Sequence, residues 1–114
     1  MQRIYVKRNR AQSFRNIAEV FPITYDKAVE RIETYPYVGE VNYRLFGLEF
    51  KGKKHYIDDC SIDIGIIDLQ DESKTNTLKQ KTKKYFEVIV ITAPNKERLS
   101  ELERKISLEG TFIS

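Results

Sequence analysis

From Glu40 to Phe50 and again from Lys54 to Leu69 the chain is dense in β-branched and aromatic side chains, and the break between the two runs is Lys51-Gly52-Lys53. Branching at Cβ restricts the rotamers available in a helix and suits a pleated surface packed on one side. The spacing predicts a β-hairpin that turns at Lys51-Gly52-Lys53. Its second arm is longer than an ordinary strand, so Gly65 is expected to mark a bulge. A sheet is the element around which the remainder must pack.

The flanking segments supply further elements. Gln2 to Lys7 alternates, with Ile4 and Val6 on one face and Arg3, Tyr5 and Lys7 on the other, as a half-buried strand requires. Ser13 suits an N-cap, and Phe14, Ile17, Ala18 and Phe21 recur at helical spacing up to Pro22. Thr24 is expected to cap a second helix with Tyr25, Ala28, Val29, Ile32 and Tyr35 on one stripe, ending before Pro36. Asp71 to Lys83 lacks periodicity and reads as a mobile loop at 71–83. Tyr85 to Thr92 is an apolar run suited to a central strand covered on both faces. Pro94 and Asn95 open a last helix whose stripe is Leu99, Leu102 and Ile106, with Glu101 one turn before Lys105 and Gly110 past its end. Thr111 to Ile113 could add an edge strand.

The expected order is thus β-α-α-β-β-β-α-(β), an α+β fold with a mostly antiparallel sheet of 4–5 strands and helices on one face. With 114 residues, 40% of them hydrophobic, residues 1–114 read as a single domain with enough apolar surface for a core. One cysteine and one histidine exclude an intrachain disulfide and any zinc site built from those two types alone. No apolar run approaches the ~20 residues that a membrane helix needs, and the start lacks a signal-peptide core, so a cytoplasmic chain without membrane contact is expected.

Charge is segregated along the chain. Arg3, Lys7, Arg8, Arg10 and Arg15 precede Val20 with a single acid, Glu19, among them. Tyr56 to Glu72 then carries six acids and no base, and Lys74, Lys79, Lys81, Lys83 and Lys84 follow with no acid. Such blocks can build a field with two poles, suited to a polyanion or to contact between copies.

Four chemistries are open to these residues. KKHYIDDCSID gathers His55, Asp58, Asp59, Cys60 and Asp63. On one regular strand, however, His55 and Cys60 point to opposite faces, and Cys60 joins Tyr56, Ile62, Ile64 and Ile66 as a core residue. His55, Asp59 and Asp63 would share a face, but neighbours four apart stand roughly 13 Å from each other, too far to hold one cation. They remain weak candidates for a divalent-metal-dependent hydrolase or nuclease, and neither a cofactor nor a resident metal is expected. NIAEVFPITYDKAVERIE resembles a helix-turn-helix in spacing, although Pro22 stands where such turns commonly place Gly and the second helix carries acids.

The third chemistry is nucleic-acid contact through a sheet on which Arg3, Tyr5 and Lys7 share a face, joined by Arg8, Arg10, Arg15 and the lysines at 74, 79, 81, 83 and 84. The fourth is protein contact through an exposed strand edge or through Tyr35, Tyr37 and Tyr43. The residues favour a small non-enzymatic binding or regulatory protein that contacts nucleic acid or another polyanion by counterion release. The alternative is a homodimeric protein-interaction or inhibitor module, a symmetric dimer being the default for a small sheet domain.

Overall fold

The computed structural model describes residues 1–8, 18–68 and 85–108. Among them the chain forms β1 (Gln2–Lys7), β2 (Ala18–Val20), α1 (Pro22–Ile32), β3 (Tyr37–Leu45), β4 (Leu48–Ile57), β5 (Cys60–Asp68), β6 (Tyr85–Thr92) and α2 (Lys96–Lys105). The strands make one mixed six-stranded sheet in the order β2-β1-β6-β5-β4-β3. Every pairing is antiparallel except β1 with β2, which is parallel with Tyr5 opposite Ala18. The α+β class and the placing of both helices on one face agree with the sequence reading, whereas the strand number and order do not.

The differences have local causes. Ala18 was expected inside a helix capped by Ser13, but Ala18–Val20 is a strand added to β1, and residues 9–17 lie outside the described residues. Pro22 does not stop a preceding helix; it occupies the first turn of α1, where its missing N–H costs nothing and its fixed φ is already helical. Thr24 therefore sits inside α1, and Phe21 takes the N-cap without a side-chain bond. The helix-turn-helix resemblance fails with the first helix, because its Ala18 belongs to the sheet.

The expected single hairpin is three strands. The first turn is Phe46-Gly47, with φ of 54° and 77°, the two positive values that a tight type I′ turn needs. The second is Asp58-Asp59, where Asp58 takes φ 54°. Lys51-Gly52-Lys53 runs through the middle of β4, and Gly65 is no bulge: it stands directly opposite Gly52 in an unbroken ladder. The one register shift in this part of the sheet lies between Tyr37 and Gly39, at the start of β3. The 71–83 loop, Gly110 and the Thr111–Ile113 strand lie outside the described residues.

Burial follows the two faces of the sheet. On one face Tyr5, Val20, Ile62, Ile89 and Ile91 are closed over by Tyr25, Ala28 and Ile32 of α1 and by Leu99, Leu102 and Ile106 of α2. On the other, Val6, Leu45, Phe50, Ile67, Phe86, Val88 and Val90 form a second cluster. Strand β6 contributes alternate residues to both, which is why its sequence is apolar throughout. Each buried Val or Ile side chain contributes about 1.5–3 kcal/mol relative to exposure, so β6 anchors the molecule. Asn95 caps α2, its side chain accepting from the Arg98 N–H at 2.9 Å.

Candidate interaction surface

The helical layer decides what happens to the first basic segment. It lies on the Arg3, Tyr5 and Lys7 face of β1, the face that the alternation assigned to solvent. Tyr5 is fully buried and its hydroxyl donates to Glu103 of α2, a carboxylate that is itself buried and also accepts from Arg3 Nη1 at 3.0 Å. Burial, and then the Glu103 bond and charge, push the Tyr5 phenol up, so it stays a protonated donor. Lys7 bonds Asp26 at 3.0 Å, pairs with Glu87 at 3.1 Å and sits 5.8 Å from the centre of the Tyr25 ring. These three residues fasten the helices to the sheet. Arg8 is exposed and lies over the Phe21 ring, 5.9 Å from its centre. Arg10, Arg15, Lys74, Lys79, Lys81, Lys83 and Lys84 lie outside the described residues.

The weak catalytic candidates are separated by the turn at Asp58-Asp59. His55 pairs with Ile62 and faces the helices, buried, with Nδ1 3.0 Å from the Tyr35 carbonyl oxygen and its ring 5.7 Å from that of Tyr37. Asp63 pairs with Lys54 and faces the opposite side, buried, where it accepts from the Tyr43 hydroxyl at 2.5 Å. Its Oδ1 has no hydrogen-bond partner of good geometry but is approached by Lys54 Nζ at 3.4 Å. Asp59 is in the turn and bonds Arg98. The shared face expected for His55, Asp59 and Asp63 is therefore corrected: the two-residue turn reverses the chain between them and breaks the count.

The same turn puts His55 and Cys60 on one face rather than two and moves Tyr56 to the other, where it is exposed. That gain in proximity brings no nucleophile. Cys60 is buried, and burial followed by Asp59 pushes its thiol up, the opposite of what an attacking thiolate needs. Among the described residues no three His, Cys, Asp or Glu side chains gather as a metal site.

The acidic turn is tied to α2. Arg98 reaches Asp59 through Nε at 3.0 Å and Nη2 at 2.8 Å, and it bonds Glu101 at 2.8 Å, while Lys105 reaches Asp58 at 3.2 Å. Glu101 and Lys105, one helical turn apart, thus take different partners, Arg98 of the same helix and Asp58 of the turn. Arg98 holds the Asp59 carboxyl below its ordinary value of 3.8. A depressed carboxyl contributes stability that is fully present above its unfolded pKa and is lost as pH falls through the folded one. Arg98→Met is accordingly expected to lower the urea midpoint slightly at pH 7. The gap to the wild type should close as pH falls below the ordinary carboxylate value; a gap constant down to pH ~3 would contradict the pairing.

What remains open is the far side of the sheet. No β3 residue belongs to the helix-covered cluster, and in β4 Ile57 does while Lys51 and Lys53 on the same side are exposed, so α1 and α2 leave the helix side of β3 and of the adjoining stretch of β4 uncovered. There Glu40, Asn42 and Arg44 of β3 are exposed beside Lys51 and Lys53 of β4, and Glu40, Asn42, Lys51, Lys53 and Ile66 line a shallow concave surface. Asn42 Nδ2 donates to Glu49 at 3.1 Å and Arg44 Nη1 to the Gly47 carbonyl at 2.8 Å. On the reverse side Val41 and Tyr43 are half-buried against the second cluster, the Tyr43 ring 5.0 Å from that of Phe50. Burial, and then Asp63, push the Tyr43 phenol up. Of the tyrosines weighed as anchors, Tyr37 is exposed, and Tyr35 packs on the helix-covered cluster.

Strand β3 is also an edge. Among the described residues the sheet ends with it, and β4 is its one partner there. Phe46-Gly47 makes a two-residue loop, so Leu45 and Leu48 close the turn as a hydrogen-bonded pair and the alternation runs back from there. The N–H and C=O of Glu40, Asn42 and Arg44 consequently point outward. The polar-apolar alternation of Glu40-Val41-Asn42-Tyr43-Arg44 carries this arrangement in the sequence, but the misplaced turn hid that it lies on an edge. No family model, curated protein or solved structure matches the chain.

Proposed function

We propose that this chain is a non-catalytic protein-interaction module that accepts an additional β-strand on its β3 edge. The observation that carries the reading is the edge itself: nine residues, Tyr37–Leu45, with outward backbone groups at Glu40, Asn42 and Arg44 and, among the described residues, neither a second strand beside it nor a helix over the adjoining face. Main-chain bonds along such an edge supply affinity, and alternate side chains supply selectivity. The polyanion reading draws less support. Of its described contributors, Arg3 and Lys7 are engaged by Glu103, Asp26 and Glu87, Tyr5 is buried, and Arg8 is exposed over the Phe21 ring; the acids of the β4–β5 turn are engaged by Arg98 and Lys105.

Asn42→Pro tests the edge, because proline there removes an outward N–H and none that β4 uses. Immobilised wild type is expected to retain proteins from a nuclease-treated host extract that immobilised Asn42→Pro does not, with both chains showing the same circular dichroism. Equal capture by the two, together with the absence of any self-association of the chain, would overturn the reading. So would salt-sensitive retention of the chain on single-stranded or duplex oligonucleotide with no Asn42-dependent protein capture, the result that favours nucleic acid.

A further inference from the structure

We propose that the strand received by β3 is β3 of a second copy of this chain, paired antiparallel about a two-fold axis on Asn42, so that Glu40 of each copy stands opposite Arg44 of the other. The proposal rests on the edge reading above and specifies its partner.

The register follows from three constraints. First, outward-facing residues must meet outward-facing residues, which confines direct opposition to Glu40, Asn42, Arg44 and the positions in step with them. Second, a two-fold axis perpendicular to the sheet keeps each side chain on the same face in both copies, so the exposed polar row of one β3 meets the exposed polar row of the other. Third, like charges directly opposite are destabilising. Centring the axis on Glu40 opposes two carboxylates, and centring it on Arg44 opposes two guanidinium groups.

Centring it on Asn42 sets Glu40 against Arg44 twice and lets two amides, each with donor and acceptor, face one another. On the reverse side the same register sets Val41 against Tyr43 twice, extending the second cluster across the junction. The neighbouring register, centred on Val41, leaves Glu40 facing Asn42 and Arg44 facing Val38.

Exposed apolar residues at the ends of β3 fit the Asn42-centred register as well. Phe46 is 57% exposed and holds φ 54° in its turn, a backbone state that favours Asn or Gly. Val38, at the register shift, is 48% exposed. The pairing brings Phe46 of each copy to Val38 of the other. Charges on an edge ordinarily discourage pairing. Here they discourage every partner and register except a matched one, because Glu40 and Arg44 are complementary under the two-fold.

Sedimentation equilibrium and chemical cross-linking of the full chain test this. The wild type is expected to dimerise at concentrations up to about 100 μM. Glu40→Arg and Arg44→Glu, each acting twice across the axis, should each weaken the dimer about tenfold or more, and the double variant should restore it to near wild type. Circular dichroism reports on folding in all three.

Opposed Cα atoms in such a pair lie about 5.5 Å apart, within disulfide range. Asn42→Cys should therefore cross-link between copies under mild oxidation and Val41→Cys should not. A monomeric wild type, single variants that leave the dimer intact, a double variant that fails to restore it, or cross-linking at Val41 in place of Asn42 would each overturn the proposal. A monomeric wild type that still captures protein in an Asn42-dependent way would sink self-pairing alone. Loss of both results would sink the edge reading with it.

Discussion

Replacing Gly65 by alanine is expected to cost about 3 kcal/mol of stability or more. A Cβ at Gly65 would lie 2.0 Å from the Lys51 carbonyl oxygen and 2.5 Å from Cα of Gly52, and a Cβ at Gly52 would lie 2.3 Å from the Ile64 carbonyl oxygen. These are backbone atoms, which cannot swing aside as a side-chain end can. Relief requires parting β4 from β5, and β5 also pairs with β6, so the strain reaches both apolar clusters. Urea denaturation of Gly65→Ala and Gly52→Ala should show midpoints far below wild type, or no folded baseline. A Gly65→Ala protein of wild-type stability would mean that the two strands do not approach this closely.

Tyr5→Phe should cost about 2 kcal/mol, although it removes one oxygen atom and keeps the ring. The lost hydroxyl donates to Glu103, whose carboxylate is buried beneath α2 and would keep the bond from Arg3 at 3.0 Å. A buried carboxylate short of a donor bears the desolvation penalty without its compensation. The second substitution carries the sharper expectation: Tyr5→Phe/Glu103→Leu should recover much of the loss, because an apolar pair in that place leaves no buried carboxylate to satisfy, and the Arg3 guanidinium is exposed enough to be solvated. Denaturant titration of the two single variants and the double gives the coupling directly. Additive losses would show that Tyr5 and Glu103 do not act as a pair.

The two expectations differ in how legible they were. Strand β1, strand β6 and helix α2 could be read from the chain, because each is specified by its own residues: alternation in Gln2 to Lys7, an apolar run in Tyr85 to Thr92, and a cap with a helical stripe after Asn95. The glycines at 52 and 65 were noticed but assigned to a turn and a bulge, since a glycine in a strand can signal a turn, a bulge or a close approach. Only the register, which opposes them, selects the third. The turns at Phe46-Gly47 and Asp58-Asp59 were missed because a phenylalanine and two aspartates lack the usual Asn-Gly signature.

The candidate residues fared according to the same logic. Tyr5 and Lys7 looked like a nucleic-acid face because alternation tells which residues share a side, and not which side the helices will cover. Both faces of β1 carry apolar clusters, so hydrophobicity could not choose between them. His55 and Asp63 were assigned to one face by counting along a strand that in fact reverses at Asp58-Asp59, which inverts every assignment after it.

What the sequence determined by itself was the α+β class, an interior strand at Tyr85–Thr92 and a C-terminal-side helix over the sheet. Those properties follow from local propensity and periodicity, which act between near neighbours. Tertiary structure alone decided that Arg3, Tyr5 and Lys7 serve the core, that the acidic turn is held by α2, and that Glu40, Asn42 and Arg44 line a free edge. Strand order and register are set by contacts between residues distant in the chain, and an edge is defined by which strand is left without a second neighbour.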